Sequence, residues 1–320
     1  RYRTAAHWGA YDVEVKDGRV AALTPFAADP DPSEIGQAMG VTLDDPVRIA
    51  RPMIRKGWLE NGPRKGNNPR GAEPFVPVSW DEALDLVSKE LTRVKESYGN
   101  EAIFGGSYGW SSAGRFHHAK TNLQRFLGMF GGFTGQVHNY SNAAGLAILP
   151  YIFGQKSMGR RANSCWSSVS EHTDLFVSFG GLGHKNTQVE PGGMGEHGTH
   201  RWFEKLKEGG LEIVSITPLR DDTASFFDAE WIAPRPATDV ALMLGIAHTL
   251  ITEGLHDEEA LARYATGFDR FRPYVMGETD GKPKSADWAA PICEVDAETI
   301  RGLARRMAAG RTMIGVAYAL

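Results

Sequence analysis

Asp174-Leu175-Phe176-Val177-Ser178-Phe179 is predicted to be a strand. It is the first element of a regular alternation of strands and helices, from which the fold is predicted. A helix is predicted over 198–208 and a second strand over 211–216, so that strand and helix alternate. The alternation continues through a strongly apolar helix over 239–253, a helix over 296–309 and a strand over 312–316. Because right-handed crossovers place helices on both faces of a parallel sheet, the sequence predicts an α/β fold that includes a doubly wound parallel sheet.

The N-terminal region has the pattern of a small β subdomain. Residues 10–26 alternate apolar and polar side chains around Asp17-Gly18, which is turn chemistry typical of a β-hairpin. The stretch from Pro25 to Pro46 is rich in Pro, Asp and Gly, and it is predicted to be a loop.

The middle of the sequence predicts two helices and a strand. Ser79-Trp80-Asp81-Glu82 has the form of a capping box, and a helix should run from it to about Tyr98. Ala102-Ile103-Phe104 is predicted to be a short buried strand. A second helix is expected over about 115–130, ended by Gly131-Gly132.

These patterns divide the chain into three predicted domains. They are a β subdomain over 1–50, an α/β domain over 51–160, and a dinucleotide-binding-like α/β domain over 161–320. Leu320 follows the last predicted strand almost directly, so we expect the third domain to be truncated.

Composition limits the classes of function. The 320 residues are 42% hydrophobic and 23% charged, enough for a large core, and the formal net charge is −4. That charge gives no polybasic stripe, so the sequence does not favour a nucleic-acid partner. A membrane-spanning helix is not predicted, because no apolar run is long enough. Cys165 and Cys293 are too few for a disulfide framework or a four-cysteine iron–sulfur cluster in this chain.

Two glycine-containing segments carry the most specific signal. The first is Gly105-Gly106-Ser107-Tyr108-Gly109-Trp110-Ser111-Ser112-Ala113-Gly114-Arg115, and the second is His138-Asn139-Tyr140-Ser141-Asn142-Ala143-Ala144-Gly145. On local preference alone, Ser141 would be a helix N-cap. Together the segments resemble the active-site segments of the bacterial molybdenum-dependent dimethyl sulfoxide reductase family, especially its biotin sulfoxide and dimethyl sulfoxide reductases. Members of that family are much longer chains, so the resemblance implies that a C-terminal half is missing from this one.

The resemblance implies catalytic roles for three side chains. Ser141 corresponds to the serine whose alkoxide ligates molybdenum, which suits a metal that can deprotonate a bound hydroxyl. Tyr108 and Trp110, which would otherwise be core aromatics, correspond to residues that donate hydrogen bonds towards the transferred oxygen. Tyr108 favours S-oxide over N-oxide substrates, because the trimethylamine N-oxide reductases generally lack it.

The resemblance also implies a cofactor, molybdenum with two molybdopterin guanine dinucleotides. Asn186-Thr187, followed by Glu196-His197-Gly198, resembles a dinucleotide-contacting segment, although an ordinary polar loop is an equal alternative. Thr238-Asp239 resembles a guanine-contacting pair, and Asp239 could equally be a helix cap or dipole partner. Ala237 directly precedes this pair in the same resembling segment. The remaining expected contacts are Ile216, Thr217 and Tyr318, which lie at or beside the ends of predicted strands.

Other patterns are weaker. The histidines invite a zinc interpretation, but their spacing matches no recognised ligand set, and solvated or hydrogen-bonded histidine is preferred. Gly180-Gly181-Leu182-Gly183 lacks the spacing of a dinucleotide fingerprint.

The resulting hypothesis is an S-oxide reductase that receives electrons from an external donor. The alternatives are an N-oxide reductase on the same scaffold and a cofactor-binding fragment without turnover.

The opening residues 1–9 resemble the start of the cytoplasmic biotin sulfoxide reductases, and no apolar leader is visible, which favours the cytoplasm. A periplasmic location after leader removal is the alternative.

Overall fold

The computed structural model describes residues 2–63, 71–106, 118–137, 143–153 and 164–317. The chain divides into two compact units. The first unit comprises Arg1–Asn139 and Gln188–His197, and the second comprises Tyr140–Thr187 and Gly198–Leu320. The division into three domains at residues 50 and 160 stays a prediction.

An antiparallel sheet begins the first unit. Its strands are β1 (Tyr2–Ala6), β2 (Gly9–Lys16) and β3 (Arg19–Pro25), in that spatial order. Asp17 and Gly18 connect β2 to β3 with φ angles of 52° and 77°, the left-handed pair that a tight hairpin turn requires. The predicted hairpin is therefore confirmed, and β1 adds a strand beside β2.

In the described part of the chain, the rest of the first unit contains a two-stranded antiparallel sheet and four α-helices. They are α1 (Glu34–Met39), β4 (Met53–Arg55), α2 (Lys56–Asn61), β5 (Phe75–Pro77), α3 (Trp80–Tyr98) and α4 (Ala119–Met129). The predicted helix start at Ser79 is confirmed, because the Ser79 hydroxyl accepts a hydrogen bond from the backbone N–H of Glu82 at 3.1 Å, which is one of the two bonds of a capping box. The loop predicted from Pro25 to Pro46 was wrong in part, since the Ser33 hydroxyl caps α1 within it.

The buried strand predicted at 102–104 was also wrong. Asn100–Ala102 is a 3-10 turn, and Phe104 makes a single bridge to Thr134 and is 69% exposed. Only Ile103 is buried. A single bridge provides too few ladder hydrogen bonds for a strand.

The second unit is built on a four-stranded parallel sheet. Its strands are β6 (Leu175–Phe179), β7 (Glu212–Ile216), β8 (Glu230–Ile232) and β9 (Thr312–Val316), in the spatial order β8-β7-β6-β9. The unit's helices are α5 (Ala143–Phe153), α6 (Trp166–His172), α7 (Thr199–Glu208), α8 (Asp239–Thr252), α9 (Glu258–Tyr264), α10 (Phe268–Val275), α11 (Ala286–Cys293) and α12 (Ala297–Ala309).

Two apolar clusters cover the two faces of this sheet. Leu175, Val177 and Phe179 of β6 pack in one cluster with buried residues of α8, α11 and α12. Phe176, between them in sequence, packs in the other with Val169 of α6 and residues of α7. Because successive side chains of a strand point to opposite faces, helices cover both faces, and the predicted doubly wound fold is confirmed. Among the described residues, no helix combines the length and apolarity needed to cross a bilayer.

Candidate functional site

The carboxyl ends of the four parallel strands lie at one edge of the sheet, where such folds bind ligands. Most of the predicted nucleotide contacts follow these strand ends. Asn186-Thr187 comes after β6, Ile216-Thr217 ends β7, and Ala237-Thr238-Asp239 comes between β8 and α8. The fold thus brings three segments that are distant in sequence to the same edge.

A glycine turn follows β6 at this edge. Gly180 and Gly181 have φ angles of 91° and 84°, and the Ser178 hydroxyl donates a 2.7 Å hydrogen bond to the Gly181 carbonyl. A Cβ at Gly181 would lie 2.5 Å from the backbone oxygen of Asp222, so a side chain there would force the turn after β7 to move. The glycines therefore permit a close approach between the two turns.

Asn186 and Thr187 lie in the 3-10 turn His184–Gln188. The Asn186 backbone N–H donates to the Gly183 carbonyl at 3.2 Å, and the Thr187 hydroxyl donates to the His184 carbonyl at 2.7 Å. The Asn186 side chain is exposed, whereas Thr187 is half-buried. The turn thus fixes the backbone and leaves the Asn186 amide at the surface.

Thr217 is almost fully buried at the end of β7. Its hydroxyl donates to Asp222 Oδ2 at 2.9 Å, and its carbonyl accepts a 2.8 Å hydrogen bond from the Trp231 indole. Asp222 Oδ1 lies 3.8 Å from Nζ of Lys185. The Thr217 hydroxyl is therefore committed within the protein, and the polar group that reaches the surface beside it is the Asp222 carboxylate.

Ala237, Thr238 and Asp239 form the entrance to α8. Ala237 has a φ of 64°, a left-handed conformation that costs a residue with a side chain about 1 kcal/mol. The N-cap is Thr238, whose hydroxyl donates to the Arg235 carbonyl at 2.5 Å instead of capping the helix. Asp239 lies in the first turn, where its charge is favourable to the helix dipole.

His197 is hydrogen-bonded within the protein, as the sequence favoured for the histidines over a zinc ligand. Its side chain is 1% exposed within the first unit, and its Nδ1 lies 2.6 Å from Oδ2 of Asp29. Nε2 lies 3.1 Å from the Gln188 carbonyl, and the backbone N–H donates to Asp29 Oδ1 at 3.0 Å. Both ring nitrogens are thus used by the protein, and this side chain is unavailable for a dinucleotide.

Asp29 was missed by sequence reasoning, and it also acts on Tyr11. Burial raises the pKa of the Tyr11 phenol, and the Asp29 carboxylate raises it further. The phenol donor lies 2.9 Å from the Trp8 carbonyl and 3.1 Å from the Ser33 carbonyl. No local pattern marks Asp29, because its partner lies 168 residues away.

The predicted catalytic residues Tyr108, Trp110 and Ser141 and the predicted cofactor contact Tyr318 lie outside the described residues. The chain that leads to the first two is held by Gly105. Its N–H donates to the Thr134 carbonyl at 3.0 Å, and a Cβ on it would lie 2.1 Å from a Leu127 methyl carbon. The glycine at this position is therefore required by packing.

The polar groups of these strand-end segments are of the kinds that can contact a nucleotide. Asn186 offers an amide, Thr187 a hydroxyl and Asp239 a carboxylate, which can accept both N–H donors of a guanine edge. The roles of these residues as nucleotide contacts stay predictions.

Comparison with known proteins gives consistent matches. The family model described as molybdopterin oxidoreductase matches residues 48–285, and the model of the molybdopterin oxidoreductase N-terminal domain matches residues 4–40. The dimethyl sulfoxide/trimethylamine N-oxide reductase of Cereibacter sphaeroides is 44% identical over 99% of this chain and 38% of its own length.

Two further relatives and one solved structure extend the match. Biotin sulfoxide reductase of Cereibacter sphaeroides is 43% identical over 93% of this chain and 40% of its own length. Trimethylamine-N-oxide reductase of Haemophilus influenzae is 40% identical over 97% of this chain and 38% of its own length. Acetylene hydratase from Pelobacter acetylenicus shares the fold, with a TM-score of 0.59 at 21% identity over 99% of this chain and 40% of that chain. The chain spans about two fifths of the length of these relatives.

Proposed function

The chain belongs to the molybdopterin oxidoreductase family, and on that premise we propose that it is part of a molybdenum-dependent reductase of S-oxides. The observation that carries the proposal is the similarity to dimethyl sulfoxide and biotin sulfoxide reductases over nearly the whole chain. The substrate would be a dimethyl sulfoxide, biotin sulfoxide or methionine sulfoxide type of molecule. Because the relatives are longer, further polypeptide would complete the enzyme.

The family implies a molybdopterin cofactor, and we propose its guanine dinucleotide form, with two copies per molybdenum and no iron–sulfur cluster in this chain. When bound, the metal supplies the oxygen-atom transfer chemistry. The residues that would hold the nucleotides lie at the carboxyl edge of the parallel sheet or in the segment after β9, and they are Asn186, Thr187, Ile216, Thr217, Ala237, Thr238, Asp239 and Tyr318.

Three side chains would act on the reacting groups. Ser141 would ligate the metal through its oxygen, and Tyr108 and Trp110 would donate hydrogen bonds to the substrate oxygen. Donors at that position stabilise the negative charge that collects on oxygen as the S–O bond breaks. Reduction consumes two electrons and two protons per S-oxide and yields the sulfide and water, so an external electron donor is required.

A second candidate is an N-oxide reductase on the same scaffold. It is favoured by the 40% identity to a trimethylamine-N-oxide reductase. Turnover of dimethyl sulfoxide and trimethylamine N-oxide by the full-length protein distinguishes the two candidates. We expect a higher kcat/KM for the S-oxide, and the opposite order would favour the N-oxide.

Metal and nucleotide analysis tests the proposal as a whole. We expect about one molybdenum and about two equivalents of releasable GMP per chain in the full-length native protein. If both are absent, the proposal is wrong. Both present without turnover of either oxide would instead support the cofactor-binding fragment.

We also propose a cytoplasmic location, with the periplasm as the alternative. Sequencing of the unprocessed N-terminus tests this, because a leader with paired arginines ahead of Arg1 would place the protein in the periplasm.

A further inference from the structure

We propose that His184 and His200 bind a second metal ion, a divalent transition ion of the zinc type, in addition to the molybdenum of the proposed function. His184 begins the 3-10 turn after β6, and His200 lies in the first turn of α7, so both belong to the second unit. Their ring centroids are 5.0 Å apart, and a ring nitrogen of one lies within 4.8 Å of a ring nitrogen of the other. Zn–N bonds are about 2.0–2.1 Å long, so small side-chain rotations suffice to place one ion between these nitrogens.

The Nδ1 atom of His200 gives independent support. It is buried, and it has no hydrogen-bond partner among the described residues. A buried polar atom without a partner costs about 1–3 kcal/mol, so such an atom requires a partner that these residues do not supply. A metal ion bound to Nδ1 would be that partner, and imidazole nitrogen is a preferred ligand of Zn²⁺, Ni²⁺ and Cu²⁺.

Glu204 orients the imidazole of His200. Its Oε1 lies 3.5 Å from Nε2 of His200, one helical turn further along α7. Because a carboxylate attracts the imidazole proton, this contact favours the tautomer with its N–H at Nε2 and leaves the lone pair on Nδ1. A carboxylate at the second nitrogen is the common arrangement behind a metal-bound histidine, since it fixes the tautomer and the ring orientation. Glu204 is therefore a positioning residue of this site.

Both histidines are held by the surrounding structure. The Phe226 ring contacts the His200 imidazole edge-on, with 5.4 Å between the centroids, and Phe226 packs against the cluster that contains Phe203. The carbonyl of His184 accepts the Thr187 hydroxyl at 2.7 Å, which fixes the backbone of the turn. Because both ligands come from ordered elements, little conformational freedom would be lost when an ion binds.

Zinc binding by the full-length holoprotein tests the inference. Each protein is dialysed with Zn²⁺ and a competing chelator, and zinc and molybdenum are then measured in the same sample. We expect the unchanged protein to hold about one more zinc per chain than His184→Ala or His200→Ala. The two variants remove ligands from different elements, so a folding defect in one leaves the other as a test.

Two further variants refine this comparison. Glu204→Gln should weaken zinc binding by roughly tenfold, as is typical when a residue that orients a ligand is changed. His172→Ala is the matched control, because its imidazole is 68% exposed and lies 3.8 Å from the carboxylate of Glu171. It should bind as much zinc as the unchanged protein.

X-ray absorption at the zinc edge identifies the ligands. We expect imidazole scattering with Zn–N bonds of about 2.0–2.1 Å, whereas sulfur at about 2.3 Å would place the ion on a thiolate and overturn the inference. Equal zinc content in all variants would also overturn it, because water would then be the partner of His200 Nδ1. Absence of molybdenum and GMP would instead overturn the proposed function, and the zinc measurement would still decide this site.

Discussion

The carboxylate of Asp29 lies 2.6 Å from the imidazole of His197 in the interior of the first unit, and both side chains are 1% exposed. Asp29 also accepts the backbone N–H groups of His197 and Asp31, at 3.0 and 3.2 Å. The pair therefore anchors the segment Gln188–His197 to the loop before α1. Both ring nitrogens of His197 thus lie within hydrogen-bonding distance of oxygen atoms of the first unit.

Replacing the Asp29 carboxylate should destabilise the protein. Asp29→Asn removes one of the two carboxylate oxygens that contact the imidazole and the backbone N–H of His197, and we expect the free energy of unfolding to fall by about 1–3 kcal/mol. The control is Asp12→Asn, whose partner Arg3 is 60% exposed. An exposed pair contributes at most about 1 kcal/mol. Urea unfolding compares the variants, and equal losses would show that the buried hydrogen bonds of Asp29 contribute no more than an exposed ion pair.

Ser141→Ala should distinguish between two roles for Ser141, a metal ligand and a helix cap. If the Ser141 oxygen ligates the metal, this variant should keep most of its cofactor, because the nucleotide contacts remain, and lose oxide reduction. Ser141→Cys would retain a ligand but alter its softness, which shifts the visible spectrum. If Ser141 only caps a helix, the alanine variant should lose about 1 kcal/mol of stability. Its visible absorption and turnover would then be unchanged, which would remove Ser141 from the active site.

Gly181→Ala should lower the stability of the protein more than the same change at another glycine with a left-handed φ angle. Gly254 has a φ of 65° with open space around a Cβ, so Gly254→Ala should cost only the conformational penalty of about 1 kcal/mol. At Gly181 the added carbon meets the Asp222 backbone at 2.5 Å, and overpacking adds about 1–3 kcal/mol. Thermal unfolding measures both variants, and equal shifts would show that the two turns can separate without cost.

Acid should weaken the second unit through Asp174. The Arg311 guanidinium and backbone N–H lower the pKa of this carboxyl from 3.8 to about 2. Because the folded pKa lies below the unfolded one, the stabilisation is present above pH 3.8 and is lost as the pH falls through about 2. Asp174→Asn should therefore flatten the pH dependence of the unfolding midpoint in this window. A variant with the same pH profile as the unchanged protein would contradict this assignment.

The elements that were predicted best from the sequence are those with a strong pattern of apolar side chains within the element itself. The strands β6, β7 and β9 and the helices α7, α8 and α12 begin and end within a few residues of the predicted bounds. β8 was missed, because its three residues are too few to carry a pattern. The strand at 102–104 was predicted from its apolar side chains, but a strand also needs a continuous partner.

Residues of the candidate site could likewise be predicted only where a local sequence pattern defines their position. A residue such as Thr217 or Asp239 can be placed from sequence, because the end of a parallel strand and the start of the next helix define its position. Asp29 and Asp222 could not be assigned, because their contacts are set by how distant turns pack. The catalytic roles of Tyr108, Trp110 and Ser141 rest on the resemblance alone and stay predictions.

The placement of Gln188–His197 in the first unit constrains the order of events during protein synthesis. The first unit cannot complete its interior until His197 has left the ribosome, because Asp29 lacks its hydrogen-bond partner before that point. By then β6 has already emerged, while β7, β8 and β9, its companions in the sheet, have not emerged. The nascent chain must therefore keep an apolar strand unpaired while the first unit closes, and this interval is where we expect a chaperone to be needed most.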